Sequence, residues 1–163
     1  MNDAHLHMVV NHFPIIGTIL AIGILIGGII IKNKAVKNTS YWVFIVAAIF
    51  GALSMSTGEG AEEIVKDMPT VGWEILHEHE ELAEKLALIL YLLAALSFFA
   101  LYLNFKKNTK EKLVSYIVIA IGFASLFVVQ KVGTSGGEIR HTEIRENPTG
   151  QNKHNSTTEE DKN

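Results

Sequence analysis

The stretch LALILYLLAALSFFALYL at Leu86–Leu103 contains no Asp, Glu, Lys, Arg or His. A helix of about 20 apolar residues, with a range of about 17–25, crosses the hydrocarbon core of a membrane. Three further runs share this composition, at Phe13–Ile31, Ser40–Thr57 and Leu113–Val129. A water-soluble bundle would carry a charged stripe along each helix, and these runs carry none. The sequence therefore predicts an all-α fold, an integral membrane four-helix bundle.

Short segments rich in lysine connect the runs at one end of this bundle. The segments Lys32–Thr39 and Asn104–Lys112 together hold seven lysines and one acidic residue, Glu111. The other sixteen acidic residues and all seven histidines lie before the first run, between the second and third, or after the fourth. Because basic short loops stay cytoplasmic, we expect the N-terminus and C-terminus outside, in a bacterial cytoplasmic (inner) membrane. The Glu/His-rich face is then periplasmic or extracytoplasmic.

The bundle accounts for most of the 163 residues, so we expect one four-helix transmembrane domain over residues 1–146. Residues 147–163 are polar and should form a disordered tail. The chain has no cysteine, which excludes thiolate metal sites and covalently attached c-type haem. Basic residues form no stripe of the kind that binds nucleic acid. A homodimer is compatible with the sequence.

Two Glu-x-x-His steps occur on the Glu/His-rich face, at Glu74–His77 and Glu138–His141. On a helix, residues i and i+3 share a face, so a carboxylate and an imidazole can point at one ion. Four-helix di-metal carboxylate proteins use two such steps with a glutamate from each of the other helices. Here the match is partial, because the first helix offers His12 instead of a glutamate. The pattern indicates a Glu/His metal site for one ion or two.

The position of each histidine on its helix separates the candidates. His79 shares a stripe with leucines and an alanine, whereas His77 shares one with three glutamates. We therefore predict that His79 faces the bundle, and that His77 faces water together with Glu74. His12 at the membrane border should also face the interior, and His141 should lie at a similar depth.

The predicted metal ligands are His12, Glu59, Glu63, His79, Glu138 and His141. Neighbours such as Glu62 and Glu80 would accept hydrogen bonds from these ligands. Carboxylates with imidazoles suit Fe, Mn, Zn or Cu(II). The predicted role is redox chemistry or metal handling, and the residues assign no catalytic reaction.

Two other functions fit the same residues. In a b-type cytochrome, two histidines facing across the bundle clamp haem b for membrane electron transfer, and His12 with His79 is the pair to test. In a non-enzymatic membrane subunit, the Glu/His cap docks a periplasmic redox partner such as a basic cytochrome c. An absorption spectrum distinguishes a b-type cytochrome from a protein with a non-haem metal site, because haem has a strong Soret band.

Four stretches resemble the DUF2231 family of predicted bacterial four-span membrane proteins, namely HLHMVVNHFPIIG at 5–17, TGEGAEEIV at 57–65, HEEL at 79–82 and GGEIRHTEI at 136–144. The resemblance covers nearly the whole chain before the polar tail and implies the four-span fold. His7 and His12 match the pair of histidines that opens the family's first span, and Met8 stands where the family often has proline. The fusion of some members to cytochrome c or Rieske modules implies a redox setting at the outer face.

Overall fold

The computed structural model describes residues 2–66, 68, 71–141 and 144–145. Within these ranges the chain forms five α-helices and no strand; they are α1 (Asp3–Val10), α2 (His12–Ile30), α3 (Lys34–Val65), α4 (Trp73–Phe105) and α5 (Glu111–Arg140). Four helical stretches of the described chain, α1 with α2 and then α3, α4 and α5, are long and apolar enough to cross a membrane. The predicted all-α, four-span bundle is therefore confirmed. The predicted tail, residues 147–163, lies outside the described residues.

The helices are longer than a membrane requires. Helices α3, α4 and α5 contain 32, 33 and 30 residues, which at 1.5 Å per residue gives about 45–50 Å of helix. The hydrocarbon core is only about 30 Å thick. Helix α4 begins at Trp73, well before its apolar run at Leu86–Leu103. The extra turns build a cap at the end where the histidines lie.

The four spans form a square in which each helix packs against its neighbours, α2 on α3, α3 on α4, α4 on α5 and α5 back on α2. Helices α3 and α5 therefore lie at opposite corners. Fully buried side chains fill the centre, among them Leu25, Phe44, Leu93 and Val118. Large apolar side chains such as Phe98 and Phe127 point outward, as expected for a surface in contact with lipid.

One end of the bundle, the lysine end, consists of the two turns α2–α3 and α4–α5. Lys32 and Lys107 each adopt a φ of 52° just after a helix ends. The N–H of the following residue, Asn33 or Asn108, returns to a helix carbonyl at 2.9 Å, a Schellman arrangement. The side chain of Asn33 then caps α3 by accepting the Ala35 N–H at 2.9 Å. Each Lys-Asn pair thus ends one helix and helps to start the next.

The opposite end, the histidine end, is formed by α1, the last turns of α3, the first turns of α4 and the last turns of α5. Helix α1 precedes the first apolar run predicted from the sequence, Phe13–Ile31. A single residue, Asn11, separates α1 from α2, and α1 packs on the last turns of α3. The contact is close because Gly60 lacks a side chain, and a Cβ there would lie 2.7 Å from the Cβ of Asp3.

Candidate functional site

His7 lies on the face of α1 that packs against α3. Its Nδ1 is 3.0 Å from the carbonyl oxygen of Ser54 and 3.2 Å from the hydroxyl of Thr57. A carbonyl only accepts, and the Thr57 hydroxyl already donates to the Leu53 carbonyl at 3.0 Å. The Nδ1 of His7 must therefore be the donor. In the neutral ring, this leaves Nε2 without a proton.

His79 reaches the same region from α4. Its Nδ1 is 2.9 Å from the hydroxyl oxygen of Ser135 on α5. That hydroxyl is also 3.2 Å from the carbonyl of Val132, to which it can donate its single proton. With the proton directed to Val132, the hydroxyl accepts from Nδ1 of His79, and Nε2 keeps its lone pair. We call His7 and His79 the histidine pair.

The histidine pair lies outside the four apolar runs that cross the membrane. Burial lowers the pKa of His7. Burial is also the largest of the causes that lower the pKa of His79. The charge that His7 would carry lowers the pKa of His79 further, so the two rings interact electrostatically. Both imidazoles are therefore neutral at pH 7, the state in which histidine binds metals.

Glycines border both rings. A Cβ added at Gly58 would lie 3.8 Å from the Cε1 of His7, which is ordinary contact. A Cβ at Gly136 would lie only 3.0 Å from the Cε1 of His79. The His79 ring therefore lies so close to the backbone of α5 that any side chain at Gly136 would crowd it.

Asn11 contributes an unused acceptor next to the histidine pair. It follows His7 by one helical turn, and its backbone N–H donates to the His7 carbonyl at 2.9 Å. Its side-chain Oδ1 is buried and has no hydrogen-bond partner among the described residues. A buried polar atom without a partner costs about 1–3 kcal/mol, so this oxygen marks a place where a donor would be stabilised.

The structure confirms the orientation predicted for the two histidines of α4. His79 is half-buried against α5, whereas the side chain of His77 is 56% exposed. The His77 ring stacks on Trp73 and lies 3.7 and 3.5 Å from the carboxylates of Glu80 and Glu81. The step Glu74–His77 is accordingly a feature of the surface.

His12 does not face the interior, so its predicted orientation was wrong. It is exposed, and its Nδ1 lies 3.1 Å from the carbonyl of Met8. His12 borders an apolar groove between α2 and α3 with Phe13 and Phe50. His7, and not His12, is half-buried at this end of the first span.

The predicted carboxylate ligands are spread around the cap. Glu59 and Glu63 are exposed, and Glu63 pairs with Lys66 at 2.8 Å. Glu138 is half-buried, one turn beyond Ser135, and His141 lies exposed just past the end of α5. Glu62 is half-buried and Glu80 exposed. Within the described ranges, no three His, Asp or Glu side chains come close enough together to hold a metal ion by themselves.

Sequence reasoning missed the partners that orient the histidine pair. Ser54, Thr57 and Ser135 are hydroxylic residues at helix ends, which are common enough to carry little signal alone. A usable signal lay in the spacing of Asp3, His7 and Asn11, which places three polar side chains on one face of a helix. That face is the one that packs on α3.

Comparisons with curated proteins and with solved structures gave no match. Residues 4–143 match the family described as predicted membrane protein (DUF2231). This match includes all four spans and the histidine pair. The chain therefore belongs to the DUF2231 family of predicted membrane proteins.

Proposed function

We propose that the histidine pair binds a transition-metal ion through its two Nε2 atoms, and that the protein serves in redox chemistry or metal handling at the membrane surface. One observation carries the proposal. Each Nδ1 lies within hydrogen-bond distance of a fixed oxygen atom, and donation from both leaves both Nε2 atoms deprotonated at the histidine end of the bundle. Metal-binding histidines almost always donate their other ring N–H in this way, because the bond fixes the tautomer and the ring orientation.

Water would complete the coordination, because no third His, Asp or Glu of the described residues joins the histidine pair. The buried Oδ1 of Asn11 suits a hydrogen bond from an ion-bound water. Asp3 and Glu138 lie one turn from His7 and Ser135, and their carboxylates would act on the ion through such water. The proposal retains His79 from the predicted ligands and replaces His12 by His7. Imidazole with oxygen donors suits iron, zinc or copper, and manganese where carboxylates dominate.

The proposal includes an orientation. Six exposed lysines lie at the lysine end, namely Lys32, Lys34, Lys106, Lys107, Lys110 and Lys112. Short basic loops favour the cytoplasmic side. We accordingly propose that the histidine end faces the periplasm or the outside of the cell, where an ion or an electron-transfer partner reaches it directly.

Metal retention by the full-length chain in detergent tests the proposal. The protein is stripped with a chelator, dialysed against iron, manganese, zinc or copper, desalted, and measured by elemental analysis and absorption spectroscopy. We expect about one ion per chain, and its loss in His7→Ala and in His79→Ala. His77→Ala is the matched control, because it removes an exposed imidazole two residues from His79. Wild-type protein that stays metal-free, or variants that keep the ion, would refute the proposal.

The same spectrum decides between a single ion and haem. A Soret band that disappears in His7→Ala would make the histidine pair the axial ligands of haem b. A Soret band lost in His12→Ala and kept in His7→Ala would restore the pair His12 and His79, against the exposure of His12 in the structure. A metal-loaded protein without a Soret band supports the proposed ion site.

The exposure of the carboxylates favours a second candidate function, in which the cap docks a basic protein. Seven glutamates of α3 and α4 are exposed around the cap, namely Glu59, Glu63, Glu74, Glu78, Glu80, Glu81 and Glu84. Attraction between such a surface and a basic partner weakens as salt is added. Binding of a basic c-type cytochrome to the metal-free protein at low salt, lost at high salt and in Glu59→Gln/Glu63→Gln, would support docking. No binding at low salt would eliminate it.

A further inference from the structure

A charged pair lies buried at the lysine end, away from the histidine pair. Lys37 is in the first turn of α3 and Glu111 is the first residue of α5, with exposed fractions of 7% and 3%. Their side chains meet at 2.6 Å. Lys37 was counted among the exposed loop lysines in the sequence, but α3 begins earlier than predicted and turns this residue inward.

Hydroxyl groups complete the environment of the Glu111 carboxylate. The Tyr41 hydroxyl donates to Oε1 of Glu111 at 2.9 Å, and Ser115 lies 2.9 Å from the same oxygen. Tyr41 and Ser115 are also 2.7 Å apart. Both are fully buried, at 0% and 1% exposure. Each oxygen of the carboxylate therefore has at least one donor, as a buried charge requires.

The network crosses the centre of the bundle. Lys37 and Tyr41 belong to α3, and Glu111 and Ser115 to α5, the two helices at opposite corners of the square. Gly28 of α2 makes room for the lysine, since a Cβ there would lie 2.8 Å from the Cγ of Lys37. All four helices thus close around one polar layer, with α4 filling the remaining corner.

We infer that Lys37, Glu111, Tyr41 and Ser115 form a latch that fixes α3 and α5 across the bundle and closes its lysine end to water. Apolar side chains in a membrane pack against many partners, so they specify the helix order weakly. A buried ion pair is different, because only one arrangement of the helices satisfies both charges. Along α3 and α5, the latch lies about one helical turn nearer the lysine end than the apolar side chains of Phe44 and Val118. Opening the latch would therefore expose these side chains to water from the lysine end.

Thermal unfolding in detergent tests the latch with paired variants of the full-length chain. Lys37→Met and Glu111→Gln each leave one buried group without its partner. We expect each to lower the Tm by on the order of 10 °C. The double variant Lys37→Met/Glu111→Gln should lose less than the sum of the two, because no uncompensated charge remains. The control is Lys34→Met, which removes an exposed lysine one turn earlier and should change the Tm little.

Labelling of a buried thiol measures the access of water to the centre of the bundle, which an unfolding temperature does not measure. The chain has no cysteine, so Ser97→Cys places a single thiol at a side chain with 0% exposure, two turns from the lysine end of α4. We expect a water-soluble maleimide to leave this thiol unlabelled in the otherwise unchanged protein. Labelling should appear when Lys37→Met or Glu111→Gln is added, and should fall again in the double variant.

Two results would overturn the latch. The first is a Tm in the single variants that equals the Lys34→Met control. The second is equal protection of the thiol in all variants. Should a single variant fail to fold, recovery of a folded protein in the double variant would still support the latch, and additive losses would refute it.

Discussion

The polar groups at the two ends of the bundle differ in how completely they are hydrogen-bonded. At the lysine end, the Glu111 carboxylate accepts from Lys37, Tyr41 and Ser115, and the network is buried. At the histidine end, each ring of the histidine pair has one nitrogen engaged and one without a described partner. The Oδ1 of Asn11 nearby has none either. A closed network stabilises the fold, whereas unfilled hydrogen-bonding and coordination capacity is what a ligand site needs.

Two closely packed glycines, one at each end, differ in whether the atoms next to them belong to the backbone or only to a side chain. Glycines make room for side chains at both, Gly28 for Lys37 and Gly136 for His79. The atoms crowded by a Cβ at Gly28 include backbone, whereas those crowded by a Cβ at Gly136 belong only to a ring that can turn. Substitutions at these two glycines should therefore affect stability in the first case and binding in the second.

The largest effect is expected for Gly28→Ala. The new Cβ would lie 2.9 Å from the backbone nitrogen of Lys37, so α2 and α3 must separate at the latch. We expect a loss of about 2 kcal/mol in the free energy of unfolding. Gly27→Ala is the matched control, because nothing lies within 4 Å of its Cβ and alanine favours helix. Denaturant or thermal unfolding in detergent measures the difference, and equal stability of the two variants would contradict the close packing.

A smaller effect, confined to binding, is expected for Gly136→Ala. Its Cβ would press on the His79 ring at 3.0 Å and turn it away from Ser135. We expect metal affinity to fall by about tenfold, as when other groups that orient a ligand are altered. Gly133→Ala is the control, with its nearest neighbour at 4.0 Å. Titration with the metal that wild type retains measures the ratio, and equal affinities would contradict the proposed role of His79.

Stability should depend on pH at the histidine end. The pKa of both members of the histidine pair is lowered by folding from an ordinary value of 6.5. As the pH falls below 6.5, the unfolded chain takes up protons first. The stability that the two neutral imidazoles contribute to the fold is therefore fully present above pH 6.5. It is lost as the pH falls through the lowered pKa values of the folded protein. The Tm of His7→Gln/His79→Gln should decline less between about pH 7 and pH 5 than that of wild type. An identical decline in both proteins would show that the histidine pair does not titrate in this way.

The smallest effect concerns the turns of the lysine end. Lys32 and Lys107 hold a φ of 52°, a conformation that glycine adopts at no steric cost. We expect Lys32→Gly and Lys107→Gly each to stabilise by up to about 1 kcal/mol. Lys34→Gly, at the first residue of α3 and without a positive φ, should give no such stabilisation. Unfolding midpoints measured side by side would decide, and a loss in the first two variants would contradict the strain at these turns.

Much of the fold followed from composition, because a membrane helix must be apolar along its length. The four runs were predictable for this reason. The inward direction of His79 and the outward direction of His77 were predictable too, since both lie on one regular helix. Periodicity orients side chains reliably as long as the helix is unbroken.

The rest depended on where helices meet. His7 and His12 are five residues apart, about 140° around a helix, so only one of them can face the neighbouring helices. Which one does so depends on how α1 packs on α3. The pairing of Lys37 with Glu111 joins residues far apart in sequence, so counting lysines in loops treated both as exposed. Glu111 nevertheless carried a signal, as the one acidic residue among seven lysines. The exposure of Glu59 and Glu63 depends on the direction in which α3 extends past the membrane.

The parts of the histidine pair are distributed along the whole chain, and this has a consequence for biosynthesis. His7 leaves the ribosome with the first span, Ser54 and Thr57 with the second, His79 with the third and Ser135 with the last. The pair is oriented only when α5 is in place. Under the proposed function, an ion would therefore be acquired after insertion into the membrane is complete, from the compartment that the finished cap faces, and not during translation.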